Sequence, residues 1–544
     1  MLKNLKGNFY GGITASVVAL PLALAFGVAS GAGAIAGVYG AIIVGFFASI
    51  FGGTATQISG PTGPMTIVMA GVISFLITKY PDDGIALAFT TVMLGGIVQI
   101  LLGYFKIGRF ISFVPYTVVS GFMNGIGIII IILQILPFLG VENTAHTPTA
   151  VITSLPSEIN HFNYSATLLS STLLAVLLIW PSSWDRYLPS PLLVLIAGTL
   201  SSIYIFEPEN FIRIGEIPTD FLHFQMPLIK LDVILDMIKY AIVLGALGSI
   251  DSLLTSLVAD GMTRTEHNSD KELIGQGIGN LIAGTFGGLP GAGATMRTVI
   301  NIRSGGTSLL SGVIHSVSLI IMIDFASGMI STIPMVALSA ILVKVGLDII
   351  DWNFLRRLYR APASSISIVS SVFFLTVFVD LITAVGTGVV IASLYTLNRL
   401  TKEQLKQAKL KHGADLIDSL NEKERKLLDN LSDDILLYTL SGPFTFGAAK
   451  GISRKLVSFT THKVLILDLL NVPSIDTSTA LSIEDIIKSH HEVGRFVVLV
   501  CNDELRNIFE KLEIVKLIGS HKLFSNREKA FIKAKNILEE QILK

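Results

Sequence analysis

The sequence predicts an all-α polytopic membrane domain of about fourteen spans, in two seven-span inverted repeats, followed by a small α/β domain. Three observations carry this reading. Apolar residues make up 51% of the 544-residue chain and charged residues only 15%, well below the roughly 25% charge of a soluble globular protein. The charge is also uneven. It is sparse before Thr401 and dense from there to Lys544, in runs such as KEQLKQAKLKHG and NEKERKLLDN. This separates a membrane domain, 1–400, from a charged linker helix, 401–432, and a soluble domain, 433–544. Finally, two Gly/Pro-rich breaks, Gln57 to Pro64 and Gly287 to Gly293, each precede a short apolar segment. Interrupted segments at matching places in two halves point to an inverted-repeat transporter and to its binding site.

Taken in order, apolar stretches recur near 10–30, 34–51, 62–77, 85–104, 112–136, 166–181, 190–206, 238–259, 272–287, 294–303, 306–328, 333–350, 363–380 and 382–399. Most have the length needed to cross hydrocarbon; the third and tenth are half-helices that restart after a break. With the N-terminus inside, the cytoplasmic loops hold Lys106, Arg109, Arg186, Arg264, Lys271, Arg303, Arg356, Arg357 and Arg360, whereas 137–165 and 329–332 have no Lys or Arg. This bias predicts that both termini are cytoplasmic. Lys79, Arg213 and Lys230 run against it. Leu231, Ile234, Leu235 and Ile238, with acids and a lysine between them, predict an interfacial helix before the eighth span. Beyond Thr401, apolar strands are expected at 435–440, 463–469 and 496–500, with helices at 478–488 and 504–512.

The stretch Gly245 to Gly306 holds the chemistry. Asp251 lies well inside an apolar run, where a carboxylate is costly and normally faces a cavity, a partner or an ion path. Broken backbone at the same depth is tolerated only where it is buried in protein or lines a wet cavity. The alternative is an Asp that hydrogen-bonds a neighbouring helix, with glycines that only permit close packing. Two half-helices whose N-termini meet at mid-membrane would offer unpaired N–H groups and converging dipole ends to an anion. Thr62 and Thr66 open the first, and Ala294, Thr295 and Met296 the second. Thr62 also suits an ordinary N-cap. Asp251 and Thr255, four apart, share one helix face. With carbonyls near Gly293 they would form the oxygen cage a small cation requires. Arg297 leaves two readings open: buried, it favours a doubly charged anion; turned to the cytoplasmic mouth, it attracts anions generally.

VALPLALAFGVASG at 18–31, SGPTGPMT at 59–66, GSIDSLLTSLVAD at 248–260 and SDKELIGQGIGN with GGLPGAGATMRTVINIRSGG up to 306 resemble the SulP family of anion transporters, most of all its sodium-coupled bicarbonate carriers. LSGPFTFGAA and VPSIDTSTAL resemble a STAS domain, the module shared with anti-sigma-factor antagonists. The resemblance implies fourteen spans forming a core and a gate, elevator-like movement of the core, a homodimer and a cytoplasmic STAS domain. It implies an anion in the gap between the half-helices, with Ala23 to Phe26 closing one side. It places sodium on Asp251, Thr255, Gly293, Ala294 and Thr295, whereas proton-coupled relatives more typically carry Glu in this region. Ser478 matches the position phosphorylated in the soluble antagonists, although DTST here lacks their following glycine; dimer packing or docking of a cytoplasmic partner is the alternative role.

The expected function is sodium-driven uptake of bicarbonate or a similar small inorganic anion across a bacterial inner membrane. Proton-coupled or exchange transport of sulfate or a dicarboxylate is the alternative within the class; an anion channel and a membrane-anchored STAS sensor lie outside it. No phosphate loop or catalytic triad is evident, which argues against ATP-driven transport and against an enzyme. A net charge of zero and the lack of a basic aromatic stripe argue against nucleic acid as a partner. The lone Cys501 excludes an intrachain disulfide framework and a multi-cysteine metal site, and no cofactor is expected beyond sodium as coupling ion. The N-terminus reads as a first span, not a cleaved signal. His315 reads as packed or hydrogen-bonded, Asp324 and Asp380 as solvated span ends, and Cys501 as buried.

Overall fold

A computed structural model describes residues 4–108, 115–142, 147–181, 188–215, 224–379, 381–407, 409–412, 414–417, 432–442 and 461–542, together with Trp184, Leu420, Glu422, Glu424 and Arg425. Arg109, Arg186, Asp380 and most of the LSGPFTFGAA motif lie outside the described residues. The chain divides into two compact units, Met1–Val390 and Ile391–Lys544.

The first unit is an all-α polytopic membrane domain. It runs through α1 (Leu5–Ala29), α2 (Ala34–Phe51), β1 (Ser59–Gly60), α3 (Gly63–Lys79), α4 (Gly84–Tyr104), α5 (Tyr116–Leu133), α6 (Ile135–Phe138), α7 (Pro148–Glu158), α8 (Tyr164–Ile179) and α9 (Ser190–Tyr204). It continues with α10 (Ile234–Thr263), α11 (Ser269–Thr285), β2 (Ala292–Gly293), α12 (Thr295–Arg303), α13 (Leu309–Ile330), α14 (Met335–Ile349), α15 (Trp352–Leu355), α16 (Ala363–Phe378) and α17 (Leu381–Gln407), whose residues from Ile391 belong to the second unit. Among the described residues five helices, α1, α2, α4, α5 and α10, are long and apolar enough to cross a bilayer outright. The stretch read as an interfacial helix before the eighth span is not separate: its latter part forms the first turns of α10, with Leu235 exposed.

The helices pack in two groups. α1–α4 contact α10–α13, and α5, α8 and α9 contact α14 and α16. Because lipid tails are as apolar as leucine, such contacts depend on small residues that let backbones approach. Gly96 and Gly277 are one such pair. A Cβ on Gly96 would sit 2.6 Å from the Gly277 carbonyl, and one on Gly277 would sit 2.6 Å from the Gly96 carbonyl. Any side chain there would force α4 and α11 apart.

The second unit is a five-stranded sheet in the order β3 (Lys409–His412), β4 (Ile435–Ser441), β5 (Val464–Asn471), β6 (Phe496–Val500), β7 (Leu523–Phe524). β3 is antiparallel to β4 and the other pairs are parallel. Its helices are α18 (Ala414–Ile417), α19 (Thr477–Glu492), α20 (Asp503–Lys511), α21 (Ile514–Ile518) and α22 (Arg527–Ile542). Both faces are covered, which is why the central strands read as unbroken apolar runs. Leu436, Tyr438, Leu465 and Leu467 face a core shared with α19 and α20, while Ile435, Leu437, Ile466 and Val498 face Phe531 and Leu538 of α22. The segment read as one linker helix is interrupted: α17 ends at Gln407, 409–412 is an edge strand whose alternating Lys-Leu-Lys-His pairs with β4, and helix returns at Ala414–Ile417. Arg527 grips Glu424 with two hydrogen bonds of 2.9 and 2.8 Å. Cys501 is buried and its thiol is pushed up to about 11, so it is inert at neutral pH. Burial pushes His462 down to about 4, and both its ring nitrogens lack a hydrogen-bond partner.

Candidate functional site

The two Gly/Pro-rich breaks cross. Ser59 pairs with Gly293 and Gly60 with Ala292 in a two-residue antiparallel ladder. Only glycine permits this: a Cβ on Gly291 would lie 2.6 Å from the carbonyl carbon of Gly60. The ladder is extended by Ala294 N–H donating to the Ile58 carbonyl at 2.9 Å, and by Ile58 N–H donating to Thr298 Oγ1 at 3.1 Å. α3 and α12 start directly beyond it. Their N-cap residues, Thr62 and Ala294, are both extended, and neither side chain caps its helix. First-turn amides of both helices are thus left for another acceptor.

A cavity of about 520 Å³ opens at these helix starts, walled by Phe26, Thr62, Asp251, Gly293, Thr295 and Arg297, with Ala294 and Met296 also on its surface. It lies between the two helix groups. α1, α3, α10 and α12 contribute one side, while Met123 of α5 and Val345 and Asp348 of α14 contribute the other. Three expected residues are not on the wall. Ala23 is fully buried where α1 meets α2, its carbonyl in contact with Gly37. Thr66 lies one turn inside α3, buried, with its hydroxyl unpartnered. Thr255 stands behind the wall, where its hydroxyl bonds the Gly293 carbonyl at 2.9 Å and Thr295 Oγ1 at 2.7 Å.

The charges on the wall are incompletely matched. Asp251 Oδ2 is buried without a hydrogen-bond partner, as is Thr62 Oγ1. Arg297 is 2% exposed, which excludes the reading that turns it to the mouth. Its Nη2 donates to the Pro61 carbonyl, while its Nη1 has no partner. Gly60 leaves room for the guanidinium, since a Cβ there would lie 2.6 Å from Arg297 Nη1. Arg303, two turns along, is exposed. His315 is buried and packed, with neither ring nitrogen hydrogen-bonded. Asp324 is exposed, and Ser478 is exposed in the first turn of α19, where Asp476 caps Thr479 N–H at 2.6 Å. Among the described residues no group of three or more His, Cys, Asp or Glu could hold a metal ion.

Behind this wall lies a polar scaffold that the sequence reading missed. Glu272, the first residue of the apolar stretch 272–287, is 1% exposed. Its carboxylate accepts from Gly53 N–H, Thr54 N–H, Gln57 Nε2 and Gln276 Nε2, each at 2.8 Å. Gln57 Oε1 accepts from Ser256 at 3.0 Å, and Gln276 Nε2 donates to Ser59 Oγ at 2.5 Å. Asn280 makes paired bonds with the Gly291 backbone at 2.8 and 2.7 Å. Glu272, Gln276 and Asn280 recur every four residues, a polar stripe down one face of an otherwise apolar helix. That spacing was the available signal. The stripe clamps both breaks to α11.

Residues 5–372 match the sulfate permease family and residues 429–530 the STAS domain. The chain is 45% identical to the bicarbonate transporter BicA of Synechocystis sp., over 97% of this chain and 94% of that one. The solved transmembrane domain of a cyanobacterium bicarbonate transporter BicA superposes with a TM-score of 0.67 at 48% identity, covering 71% of this chain and 98% of its own. The murine Solute Carrier 26 family member A9 anion transporter, in its inward-facing state, superposes with a TM-score of 0.83 over 98% of this chain and 92% of its own; at 17% identity it shows the shared fold alone.

Proposed function

Because the chain belongs to the SulP family of anion transporters, as a multi-pass membrane protein with a STAS domain, we propose that it imports bicarbonate or a similarly small anion with sodium. The observation that carries this is the cavity of about 520 Å³ between the two helix groups, where two uncapped helix starts, Arg297 and an orphaned Asp251 oxygen converge. Arg297 and Asp251 cancel in net charge. A sodium ion at Asp251, with oxygens from Gly293, Thr295 and the Thr255 behind them, leaves one positive charge and two helix ends for the anion. Cation occupancy then raises anion affinity, and by reciprocity the anion raises cation affinity. Ala294 and Met296 supply the α12 end and Thr62 the α3 end, with Thr66 a turn below it and off the wall. Phe26, with Ala23 behind it, closes the α1 side.

The mechanism is elevator-like. In this reading α1–α5, α8 and α9 are seven spans and α10–α14, α16 and α17 their inverted counterparts, so that α3 and α12 correspond as half-helices. The group α1–α4 with α10–α13 is the core that moves, carrying the ladder and the Glu272 scaffold as a rigid body past the gate formed by the other spans. Domain limits of 1–400, 401–432 and 433–544, both termini in the cytoplasm, an inner-membrane location and a homodimer complete the proposal. The STAS domain then pairs protomers or docks a cytoplasmic partner, with exposed Ser478 as its regulatory position.

One observation favours a second reading. A buried guanidinium plus two helix ends also suits a doubly charged anion such as sulfate, with a proton at Asp251 in place of sodium. Initial uptake of labelled bicarbonate and labelled sulfate into proteoliposomes, each with and without an inward sodium gradient, separates the two. Sodium-stimulated bicarbonate uptake is expected; sodium-indifferent sulfate uptake that follows a proton gradient instead establishes the second reading.

A further inference from the structure

Arg213 runs against the loop-charge bias and plays no part in the site at the crossed breaks. It sits half-buried in the wall of a separate cavity of about 410 Å³. Arg213 and Glu142 are the two charged side chains among the described residues lining it, and Glu142 is exposed at the rim. Arg213 forms no ion pair among the described residues; its Nη1 donates only to the Thr332 carbonyl. It rides on a short backbone bridge. Ile214 N–H donates to the Ile333 carbonyl at 3.1 Å and Met335 N–H to the Ile212 carbonyl at 2.8 Å, which ties it to the start of α14.

This cavity and the site are separated by a partition that is thin on one side. On α1, Phe26 lines the site and Val28 the other cavity, about 3 Å apart along the helix axis. On α14, Val336 lines this cavity and Val345 the site, with Ala337 to Leu342 between them at most 1% exposed. The cavity therefore lies next to the anion site at the opposite end of α14. Under the topology proposed above, that is the outer end.

We propose that this cavity is an outer antechamber for the transported anion and that Arg213 is its capture residue, a guanidinium that concentrates a small oxyanion beside the Phe26 partition before the core moves. This rests on the reading of the chain as an anion importer. A guanidinium in a low-dielectric recess, with no ion-pair partner among the described residues, raises the local anion concentration by roughly tenfold or more. A guanidinium is planar and can bond an oxyanion through two N–H groups at once.

The test uses the full chain in intact cells, with whichever of labelled bicarbonate and labelled sulfate the wild type takes up. Arg213→Gln is expected to raise the KM for external anion about tenfold, with the maximal rate within about twofold, and to leave the KM for efflux from preloaded cells unchanged. Arg213→Lys should stay close to wild type, and Glu142→Gln should lower the external KM. A KM unchanged in Arg213→Gln, or influx and efflux impaired alike, would mean that the guanidinium only straps 212–214 to 332–335 and would overturn the proposal. Should Arg213→Gln be poorly made, Arg213→Cys in a Cys501→Ser background is treated on intact cells with cationic or anionic methanethiosulfonates. The cationic reagent should lower the external KM and the anionic one raise it; identical effects overturn the proposal. A wild type that carries neither anion overturns the importer reading and this inference with it. A transporting wild type whose Arg213 variants keep its KM overturns this inference alone.

Discussion

Two carboxylates lie deep in this membrane domain, and their surroundings differ. Glu272 accepts four hydrogen bonds at 2.8 Å, two from the backbone amides of Gly53 and Thr54 just before the first break and two from glutamine side chains. Asp251, on the neighbouring α10, faces an open cavity with Oδ2 unpartnered. A buried charge is tolerated when its lone pairs are filled, and otherwise binds something or destabilises the fold. The filled carboxylate holds backbone in place, and the unfilled one is left for a ligand. The sequence reading singled out Asp251 and passed over Glu272.

The largest expected effect falls on the filled one. Glu272→Gln keeps the shape but turns an amide NH₂ toward donors that need acceptors, at a cost of about 3–5 kcal/mol of stability. Thermal unfolding of the purified full chain in detergent reads it. A melting curve like that of the wild type would mean that the scaffold is not what fixes the crossed breaks. Asp251→Asn should do the reverse. The protein folds and inserts as well as wild type, yet sodium-dependent uptake falls at least a hundredfold, since a neutral amide cannot offset a desolvated cation. Initial uptake rate against external sodium, with lithium and potassium as controls, decides this. A mutant that keeps the wild-type sodium curve removes Asp251 from the cation site.

A third case lies in the soluble unit. His462 is buried against the His490 ring, 5.4 Å away, with neither ring nitrogen hydrogen-bonded, and burial holds it down to about 4 from an ordinary value of 6.5. Above the ordinary value, protonation does not distinguish folded from unfolded chains. As pH falls from 6.5 to 4 the unfolded chain gains a proton that the folded one refuses, so stability drops, by on the order of 2 kcal/mol. Access of buried Cys501 to a pyridyl disulfide, which reacts at acidic pH, reports this opening in the full chain. Burial lowers His490 and His491 too, so His462→Gln should make the dependence between pH 6.5 and 4 shallower without abolishing it, and an unchanged slope assigns the acid sensitivity elsewhere.

Thr62→Val removes a hydroxyl on the cavity wall beside an uncapped helix start. A lost hydrogen bond to a charged ligand is worth roughly 1.5–3 kcal/mol, about a tenfold or larger loss of anion affinity. Isothermal titration of purified protein with the transported anion measures it, and an unchanged affinity places the anion away from α3.

What the sequence disclosed follows from the range of the interactions involved. The breaks at 57–64 and 287–293 were legible because glycine and proline act on their own backbone. The strands at 435–440 and 496–500 were legible because burial on both faces leaves a continuous apolar run. Glu272 was not, because its partners Gly53, Thr54 and Gln57 lie more than 200 residues away in sequence and reach it only through packing. Nor was the placement of Arg297, since the rotation of α12 is set by the ladder and not by the nine residues of the helix. The strand at 409–412 was lost to its charge, which suits a solvated helix as well as an edge strand.

Thr66 sharpens the comparison at its smallest scale. It sits four residues after Thr62, so helical spacing puts it on the same face of α3 and made it look like a second wall residue. The N-cap, however, stands at the end of the helix, and a residue one turn in is about 6 Å deeper along the axis. There Thr66 is 2% exposed, off the cavity, with a hydroxyl that bonds nothing. Thr66→Val is nearly isosteric and exchanges an unsatisfied hydroxyl for a methyl, so it should leave uptake unchanged. It should raise stability by up to about 1 kcal/mol, since a buried polar group without a partner is a net cost. Uptake kinetics and thermal unfolding of Thr62→Val and Thr66→Val, measured side by side, test both halves at once. If Thr66→Val loses anion affinity as Thr62→Val does, the anion penetrates a full turn into α3, and the boundary between filled and open polar groups drawn here lies one turn too high.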